Sequence, residues 1–232
     1  MPNHTLDDVR AAFLAAGQTL PNVRRDFPEW HLGRPHYALW AVDVDLPEVR
    51  HAVAGAEAHL GGLLLDGYRR QPHITLALCG FPTTAPQQPD DYSPAQLAAQ
   101  LAALTAGAPT PFDLTIGGLA SFSSAPYLSV ADPAGGIHHL RRALAGDHDE
   151  PGGRHTPHVT VGLYAGAWPT APIQLRLDAF GAPALTCRVE RICLTCYAAP
   201  EIGGSLTTLA SFDLARRQLD WHQRPAGWPD ID

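Results

Sequence analysis

Two short stretches of this chain are near copies of one another, and they limit what it can fold into. One is Gln71-Pro72-His73-Ile74-Thr75-Leu76-Ala77-Leu78; the other is Thr156-Pro157-His158-Val159-Thr160-Val161-Gly162-Leu163. Each follows a proline and is rich in aliphatic and β-branched residues, the signature of a short strand. Side chains alternate faces along a strand, so His and Thr two positions apart point the same way. Ile74 and Leu76, or Val159 and Val161, then point the other way, into a core. Each copy offers one acid/base group and one hydroxyl on a rigid support.

The surrounding order supports a duplication. Tyr37–Val44 reads as a strand. A helix follows, capped by Asp45 with Pro47 in its first turn, and Leu46, Val49, Val53, Ala56 and Leu60 form its buried stripe. Leu63–Leu65 reads as strand-like and leads into the first motif. In the second half, strands at Phe112–Ile116 and Tyr127–Val130 precede a helix opened by Asp132 and Pro133, then the second motif. Between the halves lie a polar, proline-rich loop at 81–93 and a helix begun by Ser93 and Pro94. Residues 5–16 read as a helix capped by Thr5, and 18–35 as irregular. Ile173–Leu177, Thr186–Ala198 and Leu206–Leu214 read as further strands. The motif histidines are 85 positions apart, too far for a small solenoid repeat. A two-lobed α+β unit fits: an N-terminal extension at 1–35, a bilobal domain at 36–212 and a tail at 213–232.

Composition narrows the function. The formal net charge is -7, and all 16 basic residues are arginine. No extended basic face for gripping long nucleic acid is evident. No signal peptide or membrane-spanning run is apparent, and the four cysteines do not make a secreted-type framework. The expectation is a cytoplasmic protein, acting as a monomer, with no membrane partner.

The paired motifs carry the chemistry. Two histidines facing one cleft can hold opposite protonation states, one as base and one as acid. Two threonine hydroxyls can hydrogen-bond the non-bridging oxygens of a phosphate. That set suffices to cleave a phosphodiester with no metal or cofactor. His138, His139, His148 and His155 show no diagnostic metal-ligand spacing, and Cys193 and Cys196 read as structural, since strand positions three apart face opposite sides.

Paired H-x-T-h motifs in similar halves resemble the 2H phosphoesterase superfamily, in particular the 2′-5′ RNA ligase-like (LigT-like) cyclic phosphodiesterases. The resemblance runs from about Tyr37 to about Ala198 and includes the 111–122 stretch. It implies an α+β fold, bilobal and duplicated, with two antiparallel sheets lining a central cleft and helices outside. It implies that His73 and His158 are catalytic, that Thr75 and Thr160 contact phosphate, and that the substrate is a small nucleotide or RNA 3′ end bearing a 2′,3′-cyclic phosphate. LigT-like members often place an arginine shortly after a motif. Here Ala77-Leu78-Cys79 and Gly162-Leu163-Tyr164 follow instead, so the extra phosphate contact is either absent or supplied by Arg154, Arg69 or Arg70. Tyr37, Tyr127 and Tyr164 are candidate substrate contacts. The alternatives are a non-catalytic nucleotide- or RNA-end-binding module of the same fold, 2′-5′ phosphodiester cleavage or ligation, and a metal-dependent hydrolase using the His-rich loop.

Overall fold

The computed structural model describes residues 6–145 and 155–228. Helix α1 (Leu6–Ala15) and the single turn α2 (Pro28–His31) precede β1 (His36–Asp43), α3 (Pro47–His59), β2 (His73–Pro82) and β3 (Asp91–Tyr92). Helix α4 (Pro94–Gly107), β4 (Phe112–Ser121), β5 (Pro126–Ala131), α5 (Gly136–Ala145) and β6 (His158–Thr160) follow. The chain ends with α6 (Thr170–Ala179), β7 (Leu185–Val189), β8 (Arg191–Ala198), β9 (Thr207–Asp213) and β10 (Gln218–Trp221).

These strands form two sheets, one ordered β10-β9-β8-β1-β2-β3 and the other β6-β5-β4-β7. Pairing is antiparallel except between β2 and β3. Each motif strand thus belongs to its own sheet, and β2 and β6 lie against one another. The halves are also joined through backbone. Leu64 bridges Tyr164, Leu65 N–H donates to Leu163 O, and Ala165 N–H donates to Leu63 O. Strands β8 to β10 return from the C-terminal side to complete the first sheet. The 1–35 segment packs too: α1 rests on β4 and α6, with Phe13 in the core.

Alternation sorts the large sheet. Ala38, Trp40, Val42, Ile74, Leu76, Ile192, Leu194, Ala210 and Phe212 make the core face, opposite the face that carries His73 and Thr75. Two bulges in β2 alter the pattern further along. Ala41 pairs with Thr75 but Trp40 with Ala77, and Leu39 pairs with Leu78 but Ala38 with Gly80. Each bulge inserts one residue and shifts the alternation by one, which brings Leu78 and then Phe81 onto the histidine face. Gly80 sits at φ +114, where a Cβ would collide with the Asp90 carbonyl, so glycine is required there.

Several sequence expectations are corrected. Ile173–Leu177 lies in helix α6, with Ile173 and Leu177 buried one turn apart; a short apolar run does not distinguish strand from buried helix. Asp45 does not cap α3. The N-cap is Leu46, without a side-chain cap, and Asp45 Oδ2 accepts from Arg50. Leu46 is exposed rather than part of the buried stripe. Leu63–Leu65 is not a strand of either sheet; it makes the isolated Leu64–Tyr164 bridge and the two backbone bonds beside it. Thr186–Ala198 is two strands in different sheets, divided at Glu190. The 81–93 loop contains β3, and Asp91 Oδ2 accepts from the Gln87 and Gln88 N–H groups. Ser93 does cap α4, through a capping box with Gln96. Thr5 and His148 lie outside the described residues.

Candidate active site

His73 and His158 are the first residues of β2 and β6, and their surroundings repeat. His73 Nδ1 lies 2.8 Å from the Gln71 carbonyl, and His158 Nδ1 lies 2.8 Å from the Thr156 carbonyl. A carbonyl only accepts, so each Nδ1 carries the proton and donates. Each Nε2 is left as the nitrogen able to take up a proton, with no hydrogen-bond partner among the described residues. The flanking Ile74, Leu76, Val159 and Val161 are buried, while Thr75 and Thr160 are half-buried. On the second sheet, β5 pairs Ser129 with His158 and Tyr127 with Thr160. The Phe122 and Tyr127 rings hold the His158 ring at centroid distances of 5.0 and 5.2 Å.

Both imidazoles are biased towards the neutral form. Burial pushes the His73 pKa down to about 4, with the nearby Arg70 and His158 adding to the effect and Asp43, its cross-strand partner, opposing it. Burial also lowers His158, against the Thr156 carbonyl, which favours the cation. The charge of His158 is felt at His73.

The remaining candidates have different surroundings. Arg154 lies outside the described residues. Arg69 is paired with Glu201. Arg70 has no carboxylate partner among the described residues; its Nε donates to Gly204 O and its guanidinium lies 4.0 Å over the Tyr197 ring. Tyr37 is half-buried on the histidine face, 5.7 Å from the Tyr197 ring. Tyr127 is fully buried against His158, and its hydroxyl has no hydrogen-bond partner among the described residues. Tyr164 is buried in the core with its hydroxyl 2.8 Å from Ser121 Oγ, which leaves it no surface for a substrate.

Two further residues stand at the site: Tyr68, which the sequence did not single out, and His155, which it raised only as a metal ligand. His155 approaches the Thr75 backbone and lies near His158 and Arg141; burial, then the charge of Arg141, holds its pKa down to about 3. The Tyr68 phenol faces the Thr160 side chain, and burial raises its pKa. The segment before each motif therefore reaches across to the threonine of the other. Extending the repeat three residues upstream aligns Arg70 with His155, a signal available before the structure. No cluster of His, Cys, Asp or Glu able to hold a metal ion occurs among the described residues. Cys193 lies 3.8 Å from Ser211 Oγ while Cys196 faces the core, and both are free thiols.

The depressed histidines also affect stability. An unfolded histidine titrates near 6.5 and folded His73 near 4, so between those values the unfolded chain binds more protons. Stability present at neutral pH is therefore lost as pH falls through that window, by up to about 3 kcal/mol from His73. Urea unfolding at pH 7 and pH 4.5 measures this. The loss is expected to shrink in His73→Gln, and an identical loss in wild type and variant would refute the assignment.

The family model of the 2′-5′ RNA ligase superfamily matches residues 44–201. No curated protein matches the chain in sequence. Among solved structures, E. coli LigT complexed with 3′-AMP superposes with a TM-score of 0.54 at 19% identity, covering 78% of this chain and 99% of that one. E. coli LigT complexed with ATP gives a TM-score of 0.50 at 19% identity, covering 78% and 98%. At such identities the likeness is one of fold.

Proposed function

The chain belongs to the 2′-5′ RNA ligase superfamily, and from that premise we propose that it is a phosphodiesterase that opens a 2′,3′-cyclic phosphate on a nucleotide or RNA end by two-histidine acid/base catalysis. The observation that carries this reading is the repeated imidazole geometry: two histidines on abutting strands, each with Nδ1 tied to the carbonyl two residues upstream and Nε2 left over. The E. coli LigT structures with 3′-AMP and ATP agree with a nucleotide-sized ligand.

In this mechanism one Nε2 takes a proton from water as its oxygen attacks phosphorus. The other Nε2–H protonates the departing ribose oxygen, and the ring of the cyclic ester opens to a phosphomonoester. His73 is assigned as the base, because it is the more deeply buried and Arg70 disfavours its cation. His158 is the acid; it gains its proton more readily once the phosphate anion sits beside it. Thr75 and Thr160 donate to the non-bridging oxygens, where charge grows in the transition state. Ligation of 2′-5′ ends would be the reverse of related chemistry and is a lesser activity on this reading.

The test is product analysis with EDTA present. Nucleoside 2′,3′-cyclic phosphates and a short RNA with a cyclic end are expected to give phosphomonoesters at a rate unaffected by the chelator. Loss of activity restored by a divalent ion would transfer the chemistry to a metal-dependent mechanism. Binding without turnover would make the protein a nucleotide-binding module.

A further inference from the structure

The histidine face of the large sheet does not end at His73 and Thr75. Asp43, the cross-strand partner of His73, and Tyr37 lie six residues apart on β1, about 20 Å at the usual strand rise. Over that length the face becomes apolar and then aromatic. Leu78 stands out from it with 63% of its surface exposed. Beyond it Tyr37 meets Phe81 edge-on at 4.9 Å, and Trp30 from α2 lies 5.3 Å from Tyr37 and 5.1 Å from Phe81. Trp30 keeps 38% of its surface exposed, whereas Phe81 is buried. Arg34 braces the cluster: its guanidinium sits 3.6 Å over Phe81 while it pairs with Asp90 and Asp91. An exposed tryptophan held in place by a buried ring and a doubly paired arginine is a rigid platform.

We infer that this shelf is a stacking subsite for RNA bases 5′ of the reacting phosphate, so that the preferred substrate is an oligonucleotide end rather than a mononucleotide. The inference rests on the function proposed above, which places the phosphate between His73 and His158. The occupant follows from continuity, since the shelf and the motif share strands and a face. It also follows from charge, since Arg34 is neutralised by its two carboxylates and the shelf presents rings rather than cations. A mononucleotide at His73 does not span the roughly 20 Å to Tyr37 and Trp30; a strand of about three nucleotides reaches them.

Binding of 3′-phosphorylated mono-, di- and trinucleotides, measured by calorimetry, tests the shelf without requiring turnover. Stacking on an aromatic side chain contributes about 1–3 kcal/mol per base, so the trinucleotide is expected to bind about 5–150-fold more tightly than the mononucleotide. Trp30→Ala is expected to remove most of that gain and leave mononucleotide affinity and cyclic-mononucleotide turnover unchanged. Trp30→Leu, which keeps apolar bulk on α2, should do the same and covers the case in which the alanine variant does not fold. Equal affinity at all lengths, no binding at any length, or a full gain retained in either folded Trp30 variant overturns the shelf. Length-dependent binding lost in the Trp30 variants, with no cyclic end hydrolysed, supports the shelf and sinks the proposed activity instead.

Discussion

Alanine at His73 or at His158 is expected to lower turnover of a cyclic phosphate by about 10²–10⁴-fold, with product affinity largely kept. Positioned proton transfer contributes about that much, or roughly 3–5 kcal/mol of barrier. The double variant should lose far less than the product of the two, because both act on one transition state. Thr75→Val and Thr160→Val should each cost about 10–10³-fold, since one phosphate donor is lost and others remain. The pH dependence separates the roles. The base must be neutral and the acid protonated, and both free histidines titrate below 6.5. The kcat/KM profile is therefore expected to peak on the acidic side of neutrality, rising through the His73 pKa near 4 and falling as His158 loses its proton. The kcat profile should sit at higher pH, because the bound phosphate anion favours the cationic imidazole. His73→Ala should lose the rising limb and His158→Ala the falling one. Near wild-type turnover in either variant would reduce the motifs to scaffolding.

Trp40→Ala is expected to be the most damaging change in the core. Trp40 is fully buried, and its Nε1–H donates to Gln100 Oε1 at 2.9 Å. The same oxygen accepts from Tyr92 at 2.6 Å, while Gln100 Nε2 donates to the Leu144 carbonyl. One ring thus anchors β1 to a network spanning β3, α4 and α5. Its removal leaves a large cavity, at a cost of about 3–5 kcal/mol, and is expected to lower Tm by about 10 °C. Trp40→Phe, which fills most of the space but lacks the N–H, should cost about 1–2 kcal/mol. Calorimetric scans of the three proteins decide it; a loss under about 1 kcal/mol for the alanine variant would show that the network bears no weight. Trp40 precedes Ala41 on the same strand, yet it faces the core rather than the cleft, as alternation requires.

The motif strands were legible because their information is local. A proline before, a period of two within, and aliphatic residues on one parity fix which face carries His73 and His158. Helices α3 and α4 were legible through Pro47 and through Ser93 followed by Pro94. Interactions across the fold were not. Nothing near Ile173 says that its run will wind against α1 and not pair with a neighbour, and nothing near Glu190 says that the chain changes sheets there. The bulges in β2 depend on how β1 is paired, so the aromatic end of the cleft face was hidden although Trp30, Tyr37 and Phe81 were in plain view. Tyr164 misled for the same reason: its place just after a motif suggested the cleft, whereas Ser121, distant in sequence, holds it in the core.

The backbone bridge between Leu64 and Tyr164, with its flanking bonds at Leu65 and Ala165, bears on how the molecule comes apart. Each half contributes a segment that the other needs, and the last three strands belong to the sheet begun by the first. A repeat in sequence has not produced two modules in mechanics. Severing the chain between the halves would strip one sheet of its final strands and leave the Leu64–Tyr164 bridge as a contact between two separate chains. Loosening either half should loosen both, so the spacing between the two imidazoles is protected by the cooperativity of the whole molecule and not by either lobe alone.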